Sequence, residues 1–129
     1  MEEKKHILII EDESSLRLLL GKYLSKFFEV NTKKDGLEAL SWMSQGNIPD
    51  AVILDMEMPR LNGAEFLLNI RSSGFFKHLP VIVVSGSSDK DLPGRMLKLG
   101  ANTFIEKPLN PIKVKETIYH LVSSKDKAA

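Results

Sequence analysis

Five short apolar runs alternate along this chain with five longer segments of helical period. Residues 6–10, 29–32, 51–54, 80–84 and 103–106 read as strands, the second weaker than the rest. The segments between them carry helix start and stop signals. Ser14 or Ser15 is the predicted cap of the first helix, whose inward face is Leu16, Leu19, Leu20, Tyr23, Leu24 and Phe27. Asp35 caps the second, with Leu37, Leu40, Trp42 and Met43 as its apolar positions and Gly46 as its stop. Asn62 or Gly63 opens a third, which carries Phe66, Leu67 and Ile70 and ends near Gly74. Proline is tolerated in a first helical turn but not in a helix interior. Pro93 therefore shortens the fourth helix to about residues 91–99, with Gly100 terminating it. Asn110-Pro111 is a cap followed by proline at the first helical position. The last helix is expected to reach about Val122, with residues 123–129 frayed.

Strands apolar throughout and separated by helices are strands buried on both faces, which is the pattern of a parallel sheet covered by helices on each side. Right-handed crossovers limit the wiring to a few doubly wound α/β arrangements. The 129 residues suffice for one domain, with no repeat, low-complexity tract or interdomain linker. A net charge of +1 from 18 basic and 17 acidic residues gives no footprint for direct nucleic-acid binding. With no cysteine, disulfides, thiolate chemistry and zinc–thiolate sites are excluded. No apolar run is long enough for membrane insertion, and residues 1–5 are not followed by a signal-peptide core. A cytoplasmic location is the default expectation.

The polar residues that close the strands carry the chemistry. The first strand ends in Glu11-Asp12, the third in Asp55, the fourth in Ser85 and the fifth in Lys107. In a parallel sheet these ends share one edge, where open α/β sheets bind ligands. Two carboxylates about 4 Å apart repel by roughly 4 kcal/mol at an effective dielectric near 20. Three acids at one edge therefore need raised pKa values or a cation. Oxygen ligands without His or Cys point to Mg²⁺. A carboxylate nucleophile, a divalent metal, a lysine and a hydroxyl donor together meet the needs of phosphoryl transfer.

These motifs resemble the receiver domain of a two-component response regulator. The resemblance rests on Ile10-Glu11-Asp12, Asp55-x-x-Met58-Pro59-x-x-Asn62-Gly63, Val84-Ser85-Gly86, Gly100-Ala101 and Lys107-Pro108, and covers roughly residues 5–122. Spacings of 30 residues from Asp55 to Ser85 and 22 from Ser85 to Lys107 also fit. It implies a flavodoxin-like (βα)5 fold with strand order 2-1-3-4-5. It further implies that Asp55 accepts a phosphoryl group from a sensor histidine kinase or histidine phosphotransfer protein. Mg²⁺ would be held by Glu11, Asp12, Asp55 and the backbone carbonyl of Glu57. Lys107 would pair with the phosphoryl oxygens, Ser85 would swing in to bond them, and Phe104 would turn inward. The Lys107–Pro108 peptide would be cis. The chain would be no turnover enzyme, its chemistry limited to self-phosphorylation and autodephosphorylation. It would be a monomer or weak dimer that signals to an unnamed output protein.

Three departures from the common family pattern stand out. Glu57 and Ser87 lie two residues after Asp55 and Ser85, at positions that in this family flank the phosphoryl group, so the resemblance implies that they would tune its lifetime. Asn102-Thr103 replaces an acidic pair that supports the dimer of winged-helix regulators. Phe104 replaces the common tyrosine. Met56, Met58 and Trp42 read as packing residues, His6, His78 and His120 as structural or surface residues, and Lys113, Lys115, Lys125 and Lys127 as solvated. Rival readings are a receiver cut from a longer DNA-binding or hybrid-kinase protein, a phosphatase of the haloacid dehalogenase type and a phosphorylation-independent interaction module. The phosphatase uses an aspartate nucleophile after a strand, but needs a later acidic pair missing here.

Overall fold

The computed structural model describes residues 4–128, with side chains through residue 123. The elements run β1 (His6–Ile10), α1 (Ser14–Leu24), β2 (Glu29–Lys33), α2 (Gly36–Ser44), β3 (Ala51–Asp55), α3 (Gly63–Ser72), β4 (Val81–Ser85), α4 (Leu92–Lys98), β5 (Thr103–Glu106) and α5 (Pro111–Ala128). All neighbouring strands pair in parallel, in the order β2-β1-β3-β4-β5. The doubly wound sheet and its flavodoxin-like order are as expected.

Side chains alternate across each strand, so the apolar strands feed two separate cores. Leu8, Ile10, Val52, Leu54, Val81 and Val83 pack with α2, α3 and α4. Ile7, Ile9, Ala51, Ile53, Ile82 and Val84 pack with α1 and α5 on the other face. β3 and β4 are buried at every position, including their terminal Asp55 and Ser85. β2 is polar and mostly exposed because it is an edge strand with little to cover it.

Local structure departs from the sequence reading in a few places. The cap of α1 is Glu13, not Ser14 or Ser15; its carboxylate accepts from the Ser15 and Leu16 amides at 3.0 Å. Leu19 is not on the inward face but 61% exposed. The buried side of α1 holds Leu20, Gly21 and Leu24, and Gly21 sits so close to β2 that an added Cβ would lie 3.2 Å from the Thr32 methyl. That contact fixes the roll of the helix and turns Leu18 and Leu19 outward. In α2 Ala39 and Met43 are buried, whereas Leu37 is exposed. α5 stays helical to Ala128 rather than stopping near Val122, since no Gly or Pro interrupts it. Ala129, and the side chains of Lys125 and Lys127, lie outside the described residues.

Asp35 and Asn62 cap α2 and α3 as expected, Asn62 within a full capping box with Glu65. α4 is short, with Pro93 in its first turn and Gly100 beyond its end at φ +112°. Asn102 does structural work in place of the absent acid. Its amide oxygen accepts from the Val81 amide at 2.8 Å and from Arg71 of α3 at 3.1 Å, tying β5 to β4 and α3.

Candidate functional site

The parallel register carries the strand ends to one edge of the sheet. Ile10 lies beside Leu54, Asp55 beside Val84 and Ser85 beside Glu106, so Glu11, Asp55, Ser85 and Lys107 all come at or just past paired strand ends. The Lys107 amide donates to the Ser85 carbonyl at 2.8 Å, which holds the two strand ends together. The peptide from Lys107 to Pro108 is cis, as the resemblance implied.

At this edge Asp55 and Glu11 are buried, each only 2% exposed. The Lys107 ammonium lies 3.2 Å from Asp55 Oδ1 and 3.2 Å from Glu11 Oε1. One lysine thus balances two buried carboxylates and leaves an excess negative charge. Burial, and next the adjoining Glu11 carboxylate, push the Asp55 carboxyl up to about 6, although Lys107 pulls it down. Burial works against the Lys107 charge, but Asp55 and Glu11 outweigh it and raise its pKa.

Asp12 stays on the exposed rim beside this pair. Among the described residues no three acids or histidines already form a closed metal cluster. The donor chemistry nonetheless fits a hard divalent cation. The side chains available are carboxylates alone, and Glu11 and Asp55 are held together with one positive charge between them.

Ser85 is fully buried, and its hydroxyl donates to Glu57 Oε2 at 2.6 Å rather than pointing at Asp55. Glu57 Oε1 accepts from the Gly86 amide at 3.2 Å, and the Glu57 amide donates to Asp55 Oδ1 at 3.3 Å. Ser87 is occupied in its loop: its amide donates to Ser85 Oγ at 3.0 Å and its hydroxyl accepts from the Asp89 amide at 3.1 Å. Phe104 is half-buried against the core layer of α2, α3 and α4. Met58 is buried and Trp42 half-buried, both in packing roles. His6, His78 and His120 are exposed, with His6 Nε2 2.7 Å from Glu29.

Two arginines at this edge were not singled out from the sequence. Arg17 of α1 donates to the carbonyls of Glu11 at 2.9 Å and Asp12 at 3.3 Å, fixing the turn that carries both acids. Its place five residues after Asp12, in the opening turns of α1, was the only signal. Arg60 pairs with buried Asp35 and joins the loop after β3 to the start of α2. It does so from a left-handed backbone, φ 68°, which a non-glycine residue seldom adopts. Burial disfavours the Asp35 charge, but the Glu38 amide and Arg60 outweigh it and hold the carboxyl below its ordinary value.

The model of the response regulator receiver domain family matches residues 7–119. The chain belongs to this family. The chemotaxis protein CheY-3 of Vibrio cholerae is 31% identical over 120 residues, covering 92% of each chain. The probable transcriptional regulator ycf27 of Guillardia theta is 35% identical over all of this chain but only 50% of its own length. The hybrid signal transduction histidine kinase D of Dictyostelium discoideum is 26% identical over 97% of this chain and 8% of its own. This receiver domain therefore spans half or less of several curated relatives. Among solved structures, a receiver domain protein from Clostridium thermocellum superposes with a TM-score of 0.88 at 29% identity, covering 97% of this chain and 99% of that one. This is a receiver domain of two-component systems. No helix among the described residues is long and apolar enough to cross a membrane.

Proposed function

We propose that Asp55 accepts a phosphoryl group from a phosphohistidine on a sensor histidine kinase or histidine phosphotransfer protein in the cytoplasm. An Asp55 oxygen attacks phosphorus, the new O–P bond forms as the N–P bond breaks, and the imidazole leaves with the electron pair and takes up a proton. The observation that carries this reading is a buried aspartate at a strand tip with Lys107 3.2 Å away and Ser85 at the end of the adjacent strand. Lys107 is placed to neutralise phosphoryl oxygens in flight. Glu11, Asp12, Asp55 and the Glu57 carbonyl are the groups to hold Mg²⁺. When bound, Mg²⁺ would supply charge neutralisation and orientation of the phosphoryl oxygens.

Ser85 and Phe104 are the switch residues in this reading, and the responding surface is that of α4, β5 and α5. Shifting such an equilibrium from 1:99 to 99:1 takes about 5.5 kcal/mol of differential interaction. Charge-assisted bonds to Lys107 and Ser85 are of the right kind to supply part of it. Glu57 and Ser87, two residues beyond Asp55 and Ser85, set the lifetime of the acyl phosphate. The chain acts as a monomer or weak dimer on an output protein, with no direct contact to nucleic acid. A second reading, the receiver module of a longer protein, is favoured by the half-length match to ycf27 and the 8% match to the hybrid kinase.

Acetyl phosphate with Mg²⁺, followed by intact mass, tests the core claim. A single phosphoryl adduct is expected on the wild type and none on Asp55→Ala. No adduct from any donor, or an adduct retained by the variant, overturns it.

A further inference from the structure

The Ser85 hydroxyl has one proton to donate, and Glu57 holds it. The bond is short at 2.6 Å, its acceptor is anionic, and the donor is wholly buried. The other Glu57 oxygen takes the next amide along the chain, that of Gly86. Glu57 thus clasps the start of the loop between β4 and α4 with both oxygens. The same Ser85 oxygen is also the first link of a series along that loop. It accepts from the Ser87 amide at 3.0 Å, the Ser87 hydroxyl accepts from the Asp89 amide at 3.1 Å, and Asp89 accepts from the Asp91 amide at 2.9 Å. Asp89 then pairs with Arg95 of α4 at 2.8 Å.

We propose that Glu57 is a latch on the switch serine: it competes with the phosphoryl group for the Ser85 hydroxyl and so holds the β4–α4 loop in its resting form. This rests on the reading of Asp55 as phosphoacceptor. Ser85 cannot donate to Glu57 and to a phosphoryl oxygen at once, so capture by one anion requires release by the other. Rotation of the hydroxyl also removes the acceptor of the Ser87 amide. The release therefore passes into the turns that lead to Asp89 and Arg95. Glu57 is a positioning residue here, acting through Ser85 and not on the phosphoryl group itself.

Beryllofluoride with Mg²⁺ is the probe, a stable mimic of the phosphoryl group, with its Kd measured by calorimetry on wild type, Glu57→Ala, Ser85→Ala and the double variant. Glu57→Ala should tighten binding on the order of tenfold, the worth of one charge-assisted hydrogen bond. In the Ser85→Ala background the same substitution should change Kd by less than about twofold. Equal tightening in both backgrounds would mean simple repulsion between Glu57 and the anion, and would overturn the latch. So would unchanged or weakened binding in Glu57→Ala alone. A second readout needs neither metal nor phosphoryl. In the free protein, Glu57→Ala should lower hydrogen-exchange protection of the Gly86 and Ser87 amides, and Glu57→Gln, which keeps an acceptor oxygen, should restore part of it. Unaltered protection overturns the latch. A wild type that takes up neither acetyl phosphate nor beryllofluoride overturns the phosphoacceptor reading instead, and the competition with it, whatever the amides show.

Discussion

Asp55 is a carboxylate held 2% exposed against a second buried carboxylate, and the fold bears a cost for keeping it there. Its proton is retained in the folded protein up to about pH 6, whereas an unfolded aspartate loses it near 3.8. The folded state therefore binds more protons than the unfolded one between those values, and stability falls as pH rises through that window. In metal-free buffer, urea unfolding of the wild type should show this decline between about pH 4 and 6, levelling above it. Asp55→Asn keeps the shape and removes the charge, so it should flatten the decline. At pH 7 it should stabilise the protein on the order of 1 to 3 kcal/mol. Equal stability of the two proteins at pH 7 would show that Lys107 fully balances the pair. Because Asp55 and Glu11 share the lysine, the measured midpoint belongs to the pair and not to either acid alone.

Among the elements, α3 is the one whose placement most directly controls Asp55. Gly63 opens the helix so close to the chain leaving β3 that an added Cβ would lie 2.9 Å from Met56 Cα and 3.0 Å from the Asp55 carbonyl oxygen. Both are backbone-level contacts that no side-chain rotation can relieve. Gly63→Ala should therefore push α3 away from the β3 tip, costing about 1 to 3 kcal/mol in chemical denaturation and slowing labelling of Asp55 by acetyl phosphate. Wild-type labelling in a destabilised variant would separate the packing role from the positioning role. Asn62→Ala is the control at the same helix end: losing the cap should cost about 1 kcal/mol with no displacement of Asp55. The strands and most helix ends were legible in the sequence because burial on both faces leaves β3 and β4 apolar up to their terminal Asp55 and Ser85, and because Asp35, Asn62 and Pro111 start helices by local chemistry alone. The face of α1 was not, since its roll is fixed by the contact of Gly21 with β2, which periodicity does not register.

At the scale of the whole molecule, one sheet with a core on each face delivers Glu11, Asp55, Ser85 and Lys107 to a single edge, and parallel topology made that convergence readable from four strand ends. What topology does not specify is where side chains on the connecting loops turn. The Glu57–Ser85 bond and the Arg60–Asp35 pair join residues through loop conformation that no spacing rule announces, and the hold of Arg17 on the Glu11 and Asp12 carbonyls was marked only by its place in the first turns of α1. The net result is an edge where the buried Glu11 and Asp55 carboxylates share the single Lys107 ammonium, with the exposed Asp12 next in the chain to Glu11. A fold that assembles this charge in its native state alone should be stabilised by a divalent cation that binds only that state. Mg²⁺ at ten times its Kd should add about 1.4 kcal/mol, seen as a Tm that climbs with the logarithm of concentration. Sodium at matched ionic strength should not reproduce the climb, because screening acts weakly on buried groups. Asp12→Ala is the informative variant: Asp12 is exposed, so its loss should spare the metal-free Tm and weaken only the response to Mg²⁺. An identical Mg²⁺ response in wild type and Asp12→Ala would place the cation elsewhere than at this edge.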